Sequence, residues 1–304
     1  MAERTQPLPT WRQAWQDALY GPDGFFVHNR PIDHFRTSVH ASPLFAEAIV
    51  ALARRHDLDT IVDIGAGAGE LLTHVHVLDP ALELVGIEVA SRPAELPPAI
   101  TWYAEMPARL HGLVIANEWL DNLPCDVVEA DEDGAVRVVH VDPSTGEERL
   151  GADVDDAWLH TWWPLREPGT RAEIGVTRDE AWGDVVGRLS GGMAVAIDYG
   201  HALQSRPPFG SLRSYRGGRE VDVLADGSRD ITAHVAMDSL HADRLLTQRD
   251  MLHCLGISGA RPARSLAGTD PAGYVRELSR ASAAAELTAV GGLGDFFWAI
   301  SHRP

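Results

Sequence analysis

The nine residues Val62-Asp63-Ile64-Gly65-Ala66-Gly67-Ala68-Gly69-Glu70 constrain this chain more than any other stretch. An apolar run ending in an acid, three alternating glycines and a following helical pattern read as strand, tight turn and helix start. Glycine in such a turn permits positive φ and lets a ligand approach the backbone closely. The helix start that follows presents unpaired N–H groups. The spacing also separates the nucleotide ligands. A dinucleotide-binding turn needs G-x-G-x-x-G, whose third glycine lets the helix pack closely. Counted from Gly65, that glycine falls on Glu70. A carboxylate there would repel a pyrophosphate at the helix start, which disfavours nicotinamide and flavin dinucleotides. S-adenosylmethionine, whose only anion is an amino-acid carboxylate, is the cofactor this turn predicts.

Around Gly65, Gly67 and Gly69, further residues suit that cofactor. Asp63 is expected near the methionine ammonium group, where a buried carboxylate gains a charged partner; a turn hydrogen bond is its alternative. Glu88 ends the next apolar run, Leu84-Val85-Gly86-Ile87-Glu88, and is expected to accept both ribose hydroxyls. Glu105, after Ile100 to Tyr103, is a candidate acceptor for the adenine amino group, or a surface acid. Thr37 and Ser38 either close over the cofactor or turn the chain.

A chain of 304 residues can bury a full α/β core, as one large domain with an elaboration. The net charge of −18 disfavours a nucleic-acid partner. All 26 basic residues are arginine, so a phosphate-binding lysine, a Schiff-base lysine and a lysine general base are excluded. Cys125 and Cys254 lie too far apart in sequence for a disulfide framework or a CxxC knuckle. No metal is expected, because His28, His34, His40, His74 and His76 lack ligand-type clustering with acids. The apolar runs fall far short of the ~20 residues of a spanning helix, and no apolar signal follows Arg4. No membrane partner and a cytoplasmic location are therefore expected.

From Thr60 onward, short apolar runs near 60–64, 84–88, 100–103, 112–116 and 192–198 alternate with helical or loop segments. That is the pattern of an α/β fold with a mostly parallel, Rossmann-like sheet. Residues 1–57 read as an N-terminal helical cap, with helices Trp11 to Leu19 and Pro43 to Arg55, the second capped by Ser42. Residues 58–304 form the sheet domain, with a β-hairpin and helical insertion at about 125–172. The hairpin turns at Asp133-Gly134, and a helix is expected over Asp153 to Trp163. Thr177 and Glu180 read as a capping box, with Gly191-Gly192 ending that helix. Asp295 to Ser301 is expected to add an antiparallel strand.

Ligands of open α/β sheets sit beyond the carboxyl ends of the strands, which sets Asn117 and Glu118 beside the cofactor. Glu118 and Asp121 are three residues apart. On a helical turn they would share a face and could orient a guanidinium and accept its proton, or else cap a helix start. Asn117 could instead bond the strand end. Asp198, ending the fifth strand, is expected to face the same crevice, with a turn hydrogen bond as its alternative. Trp158 and Trp162 have i,i+4 spacing, suiting a core or a channel wall.

Several segments occur in an order that resembles the MidA-like methyltransferase family. They include Tyr20-Gly21, Gly24-Phe25-Phe26, Phe35-Arg36-Thr37-Ser38 and Leu44-Phe45-Ala46-Glu47. The most distinctive is Ala116-Asn117-Glu118-Trp119-Leu120-Asp121-Asn122-Leu123-Pro124. Arg171-Ala172-Glu173-Ile174, Ile197-Asp198-Tyr199-Gly200-His201, Gly210 to Arg216, Asp230-Ile231-Thr232-Ala233-His234-Val235 and Thr247-Gln248 continue it. The resemblance implies a class I methyltransferase fold with a seven-stranded sheet. For mitochondrial members, which act in respiratory complex I assembly, it implies symmetric dimethylation of a protein arginine. It also singles out His234 as a proton acceptor or substrate contact, where a lone histidine is otherwise more often structural. In that family the glycine turn usually carries proline and arginine, where this chain has Ala66 and Ala68. The expectation is methylation of an arginine in a protein partner. The alternatives are a small-molecule acceptor and a non-catalytic cofactor-binding assembly factor; the oligomeric state stays open.

Overall fold

The computed structural model describes residues 7–28 and 38–303. The chain folds into two compact units, and each is interleaved in sequence. One takes the described residues of Arg36–Trp119 with Asp184–Tyr199 and Ala242–Pro304; the other takes those of Met1–Phe35 with Leu120–Gly183 and Gly200–His241.

The first unit is built on a seven-stranded sheet. Its strands are β1 (Thr60–Ile64), β2 (Glu83–Ile87), β3 (Ile100–Tyr103), β4 (Leu110–Asn117), β5 (Leu189–Asp198), β6 (Arg244–Thr247) and β7 (Phe297–Arg303). Their order is β3-β2-β1-β4-β5-β7-β6. β1 to β5 pair in parallel, and β7 runs antiparallel to both β5 and β6. All five residues of β1 are buried, the continuous burial of a parallel strand covered on both faces. Helix Leu44–Arg55 covers the sheet with Phe45, Ile49 and Leu52, and Phe45 meets Trp298 of β7 edge-on. The helix starts one residue later than expected: Pro43 is its N-cap, and the hydroxyl of Ser42, one residue before, accepts the Leu44 N–H. Chain reversal from β1 to β2 comes through helix Glu70–Leu78. At Gly192 (φ 107) a Cβ would strike the Gly112 carbonyl, so glycine is needed where β4 and β5 come together.

The second unit holds helix Trp11–Tyr20, closed by a capping box between Thr10 and Gln13. Its Trp11, Trp15 and Leu19 share a core with Val127, Val139 and Ile231. A four-stranded antiparallel sheet runs in the order Glu148–Asp153, Val136–Val141, Asp126–Ala130, Arg171–Ile174. Its hairpin turns as the sequence predicts. Gly134 sits at φ 80, and the Asp131 carboxylate accepts the Asp133 and Ala135 N–H groups. Two smaller sheets complete the unit: Arg213–Arg216 between Arg219–Val221 and Asp230–Thr232, and Gly200–His201 alongside Val235–Ala236.

The units divide the chain elsewhere than at residue 57. Helix Trp11–Tyr20 packs with the insertion strands, whereas Leu44–Arg55 packs on the large sheet. The insertion runs over Leu120–Gly183 and is joined by Gly200–His201 and its successors to His241. Local corrections follow from competing bonds. Thr177 does not cap its helix, which begins at Val176, because its hydroxyl donates to the Pro124 carbonyl at 2.8 Å. The helix ends at Arg188, before Gly191, since Leu189 already pairs with Leu110 of β4. The expected helix from Asp153 is confined to Ala157–Trp162, capped by Asp156, because Asp153 is still in a strand.

Candidate functional site

The glycine turn at the end of β1 is strained in a way only glycine tolerates. Gly65, Gly67 and Gly69 have φ of 69, 57 and 79°. A Cβ at Gly65 would lie 2.8 Å from Trp119 Cδ1, and one at Gly69 would collide with Leu96. Those two glycines are therefore required by packing. At Gly67 a Cβ would meet only the Glu70 carboxylate, at 3.4 Å, so this glycine is the open rim of the turn.

Three carboxylates gather at this turn. Asp63, 4% exposed, stands on the last stretch of β1. Glu88, just beyond β2, accepts the Gly67 N–H at 3.0 Å with one oxygen and the Ala90 N–H at 3.1 Å with the other. Glu70, the first residue of its helix, accepts the Ala68 N–H at 3.0 Å. Burial raises the Asp63 carboxyl well above the usual range, and the charges of Glu70 and Glu88 raise it further. Glu88 is raised chiefly by burial, against the pull of the Ala90, Gly67 and Val89 N–H groups, with Glu70 adding repulsion.

The carboxyl end of β4 adjoins β1 in the sheet. Asn117, its last residue, has its side-chain oxygen buried with no hydrogen-bond partner among the described residues. Its amide nitrogen donates to Glu118 Oε1 at 3.3 Å. Glu118 holds a left-handed backbone, φ 52°, while its N–H bonds the Ile197 carbonyl at 2.8 Å and its Oε1 takes the Ser38 N–H at 3.0 Å. A non-glycine residue in this conformation is held there by its surroundings and often marks a functional site. Ser38 therefore serves to anchor Glu118. Its own hydroxyl is buried against Gln248, which is fixed by Trp298 Nε1 and by donation to the Leu287 carbonyl. Asp198 closes β5 fully buried, beside Phe297. Glu105 is exposed in the bend after β3, and Thr37 lies outside the described residues.

The helical turn expected to align Glu118 with Asp121 is not formed. The left-handed Glu118 and the turn at Asp121 replace it, and the two residues fall in different units. Asp121 is a buried structural acid: its carboxylate accepts the Thr232 hydroxyl at 2.7 Å. Its carbonyl accepts Arg178 Nη2 at 2.7 Å and the Ala233 N–H at 3.1 Å. Its charge, after burial itself, raises the carboxyl of Asp230 well above the usual range. His234 is exposed, yet crowding by protein atoms and the charges of Arg213 and Arg178 hold its imidazole below the ordinary value. Its N–H donates to the Ser211 hydroxyl, which in turn donates to the buried carboxylate of Glu173. Trp158 donates to Asp179 and packs with Leu159 and Trp163, a core role.

Arg178 is a structural residue with no local sequence signal. It is 1% exposed, lies 5.7 Å from the Trp15 ring and donates to the carbonyls of Asp121, Leu123 and His234. No local pattern distinguishes a buried arginine from a surface one. His201 closes the segment from Ile197 and is buried. Arg206, which can only donate, bonds its Nδ1 at 2.7 Å, so the proton sits on Nε2, and burial with Arg206 lowers its pKa to about 3.

The site fits S-adenosylmethionine on the chemistry of its acceptors: acids for an ammonium beside an open glycine, and a buried amide oxygen for an N–H or O–H. Residues 85–257 match the family described as "Putative S-adenosyl-L-methionine-dependent methyltransferase". The chain belongs to this MidA-like methyltransferase family. Two solved structures from Burkholderia thailandensis share its fold. One, bound to S-adenosyl-homocysteine, has a TM-score of 0.75 and 22% identity over 97% of this chain and 88% of that one. The other, a native crystal structure, has a TM-score of 0.74 and 23% identity over 97% and 87%. A search of the curated proteins found no match. The methyltransferase cofactor is S-adenosylmethionine, and Asp63, Glu88 and the glycine turn are the residues that would hold it. Among the described residues no group of three or more His, Cys, Asp or Glu is arranged to hold a metal, and no helix is long and apolar enough to cross a membrane.

Proposed function

We propose that this methyltransferase modifies an arginine side chain of a protein partner. The observation that supports the reading is Glu118. Its backbone is held in a left-handed conformation by bonds to Ile197 and Ser38, so that a carboxylate stands at the carboxyl end of β4. A carboxylate and an amide oxygen, from Glu118 and Asn117, suit a planar cation rich in N–H donors. The bound cofactor supplies a methyl group on a sulfonium, and the transfer needs little beyond alignment and the removal of one proton. Alignment of reacting groups can contribute ~7–11 kcal/mol. Glu118 orients the guanidinium and accepts the proton that the nitrogen releases on methylation.

The acceptor is tested by incubating the purified protein and methyl-labelled cofactor with a lysate, then hydrolysing the labelled product. Methylarginine in a protein band, lost in Glu118→Gln, is the expected result. Label confined to small molecules, or to a residue other than arginine, would overturn the reading.

A further inference from the structure

The methionine end of the cofactor carries a carboxylate, and a carboxylate needs hydrogen-bond donors. The backbone of the glycine turn does not supply them. The Gly65 and Ala66 N–H groups both donate to the Ile87 carbonyl, at 2.9 and 3.3 Å, and the Gly69 N–H donates to the Ala66 carbonyl at 2.8 Å. Between them, the Gly67 N–H is taken by Glu88 and the Ala68 N–H by Glu70. Every backbone donor from Gly65 to Gly69 is therefore spent within the protein. The turn also lacks a cation of its own, since Ala66 and Ala68 stand where the family usually carries proline and arginine. Arg92, in the loop after β2, is tied to the carbonyls of Pro93, Leu96 and Pro97.

A side-chain donor stands against the turn instead. Trp119, just beyond β4, packs its indole on Gly65: a Cβ at that glycine would lie 2.8 Å from Cδ1, 3.3 Å from Cγ and 3.4 Å from Cβ of the tryptophan. Cδ1 is the ring carbon bonded to Nε1, so the indole N–H belongs to the part of the ring nearest the glycine. Trp119 is half-buried, and among the described residues its N–H has no acceptor. The indoles of Trp102 and Trp298, on the same sheet, donate to the Ala90 carbonyl and to Gln248. An indole N–H can only donate, so the Trp119 group suits an anion or a carbonyl and nothing else. We propose that Trp119 is a cofactor-binding residue, whose indole N–H, seated against Gly65, donates to the carboxylate of the methionine moiety. A neutral donor on the strand end thus takes the part that an arginine in the turn would otherwise play. The proposal rests on the family's cofactor and is independent of the acceptor.

Calorimetry of the purified protein without any acceptor isolates this contact when S-adenosylmethionine is compared with decarboxylated S-adenosylmethionine, which lacks only the carboxylate. Trp119→Phe keeps an aromatic ring against Gly65 and removes the N–H. It is expected to weaken S-adenosylmethionine by about tenfold, the loss of one hydrogen bond to a charged group, and to leave the decarboxylated ligand nearly unchanged. Equal weakening of both ligands would make Trp119 a wall of the site and overturn the proposal. Unchanged affinity for S-adenosylmethionine would assign the carboxylate to the N–H groups that open helix Glu70–Leu78 and overturn it as well. Should Trp119→Phe not fold, the wild type decides by nuclear magnetic resonance. The indole N–H signal of Trp119, identified by its proximity to the Gly65 α-protons, must move downfield with S-adenosylmethionine and not with the decarboxylated ligand; any other pattern overturns the proposal. Failure of the wild type to bind S-adenosylmethionine would count against the cofactor assignment itself, and failure of arginine labelling would leave these affinities untouched.

Discussion

A left-handed backbone costs a non-glycine residue about 1–2 kcal/mol, and Glu118 carries that cost between a buried strand and a buried serine. Its side chain is what compensates, through Ser38 and Asn117. The glycines beside it solve the same backbone problem without a side chain, which is why G-x-G-x-G was legible in the sequence and the conformation of Glu118 was not. Spacing alone offered a helical turn there, and a bond from the Glu118 N–H to Ile197, 79 residues away in sequence, took precedence. Asp63 shows the opposite balance, an acid whose environment opposes its charge. An acid with a folded pKa above its unfolded one holds its proton more tightly when folded, so stability falls as pH rises from the unfolded value through the folded one. Asp63, raised by burial, Glu70 and Glu88, is such a group. Asp63→Asn should therefore melt at a higher temperature than the wild type at pH 7, with the advantage fading below about pH 4, and should bind S-adenosylmethionine more weakly. Scanning calorimetry at both pH values checks the first part. A lower melting temperature at pH 7 would mean that the carboxylate is already compensated in the free protein.

Strands and helices with a strong local period were readable from residues alone. β1, β3 and helix Trp11–Tyr20 fall within a residue of their expected bounds, and the hairpin at Asp133-Gly134 turns where glycine chemistry requires. What the local pattern missed depends on partners remote in sequence. β6 is four residues long and exists through its pairing with β7. Thr177 left its capping position for a carbonyl 53 residues earlier. Arg178 is the largest such omission, since it joins the turn at Asp121 and Leu123 to His234 by side-chain donation to three carbonyls. The Asp121 and Leu123 carbonyls belong to the segment that carries the strongest family resemblance, and one buried guanidinium ties it to His234. Arg178→Met preserves volume and removes every donor. The Asp121 carbonyl keeps the Ala233 N–H, so the cost is that of the lost hydrogen bonds, ~1 kcal/mol each, and a loss of roughly 3 kcal/mol in unfolding free energy is expected. Urea unfolding followed by tryptophan fluorescence measures it, with Trp15 beside the guanidinium as a local reporter. A loss under about 1 kcal/mol would show that solvent satisfies the carbonyls.

Composition bears on the molecule as a whole, where a net charge of −18 coexists with 26 arginines. An excess of acid over base on this scale sets up a field that attracts cationic partners and repels anionic ones. The same sign of charge recurs at the turn, where Asp63, Glu70 and Glu88 meet. That long-range field acts on encounter, whereas in the proposed reaction Glu118 would act on a bound guanidinium at hydrogen-bond range, and ionic strength separates the two. Screening shortens from about 10 Å at 0.1 M salt to about 3 Å at 1 M. For an arginine-bearing protein acceptor, kcat/KM should therefore fall about tenfold or more between these conditions while kcat stays nearly constant. Steady-state methyl transfer at a series of salt concentrations provides both values. An acceptor recognised through apolar contacts would show kcat/KM flat or rising with salt, since burial of apolar surface is not screened. A fall in kcat parallel to kcat/KM would instead put the salt-sensitive step after binding, at the carboxylates that orient the bound cation.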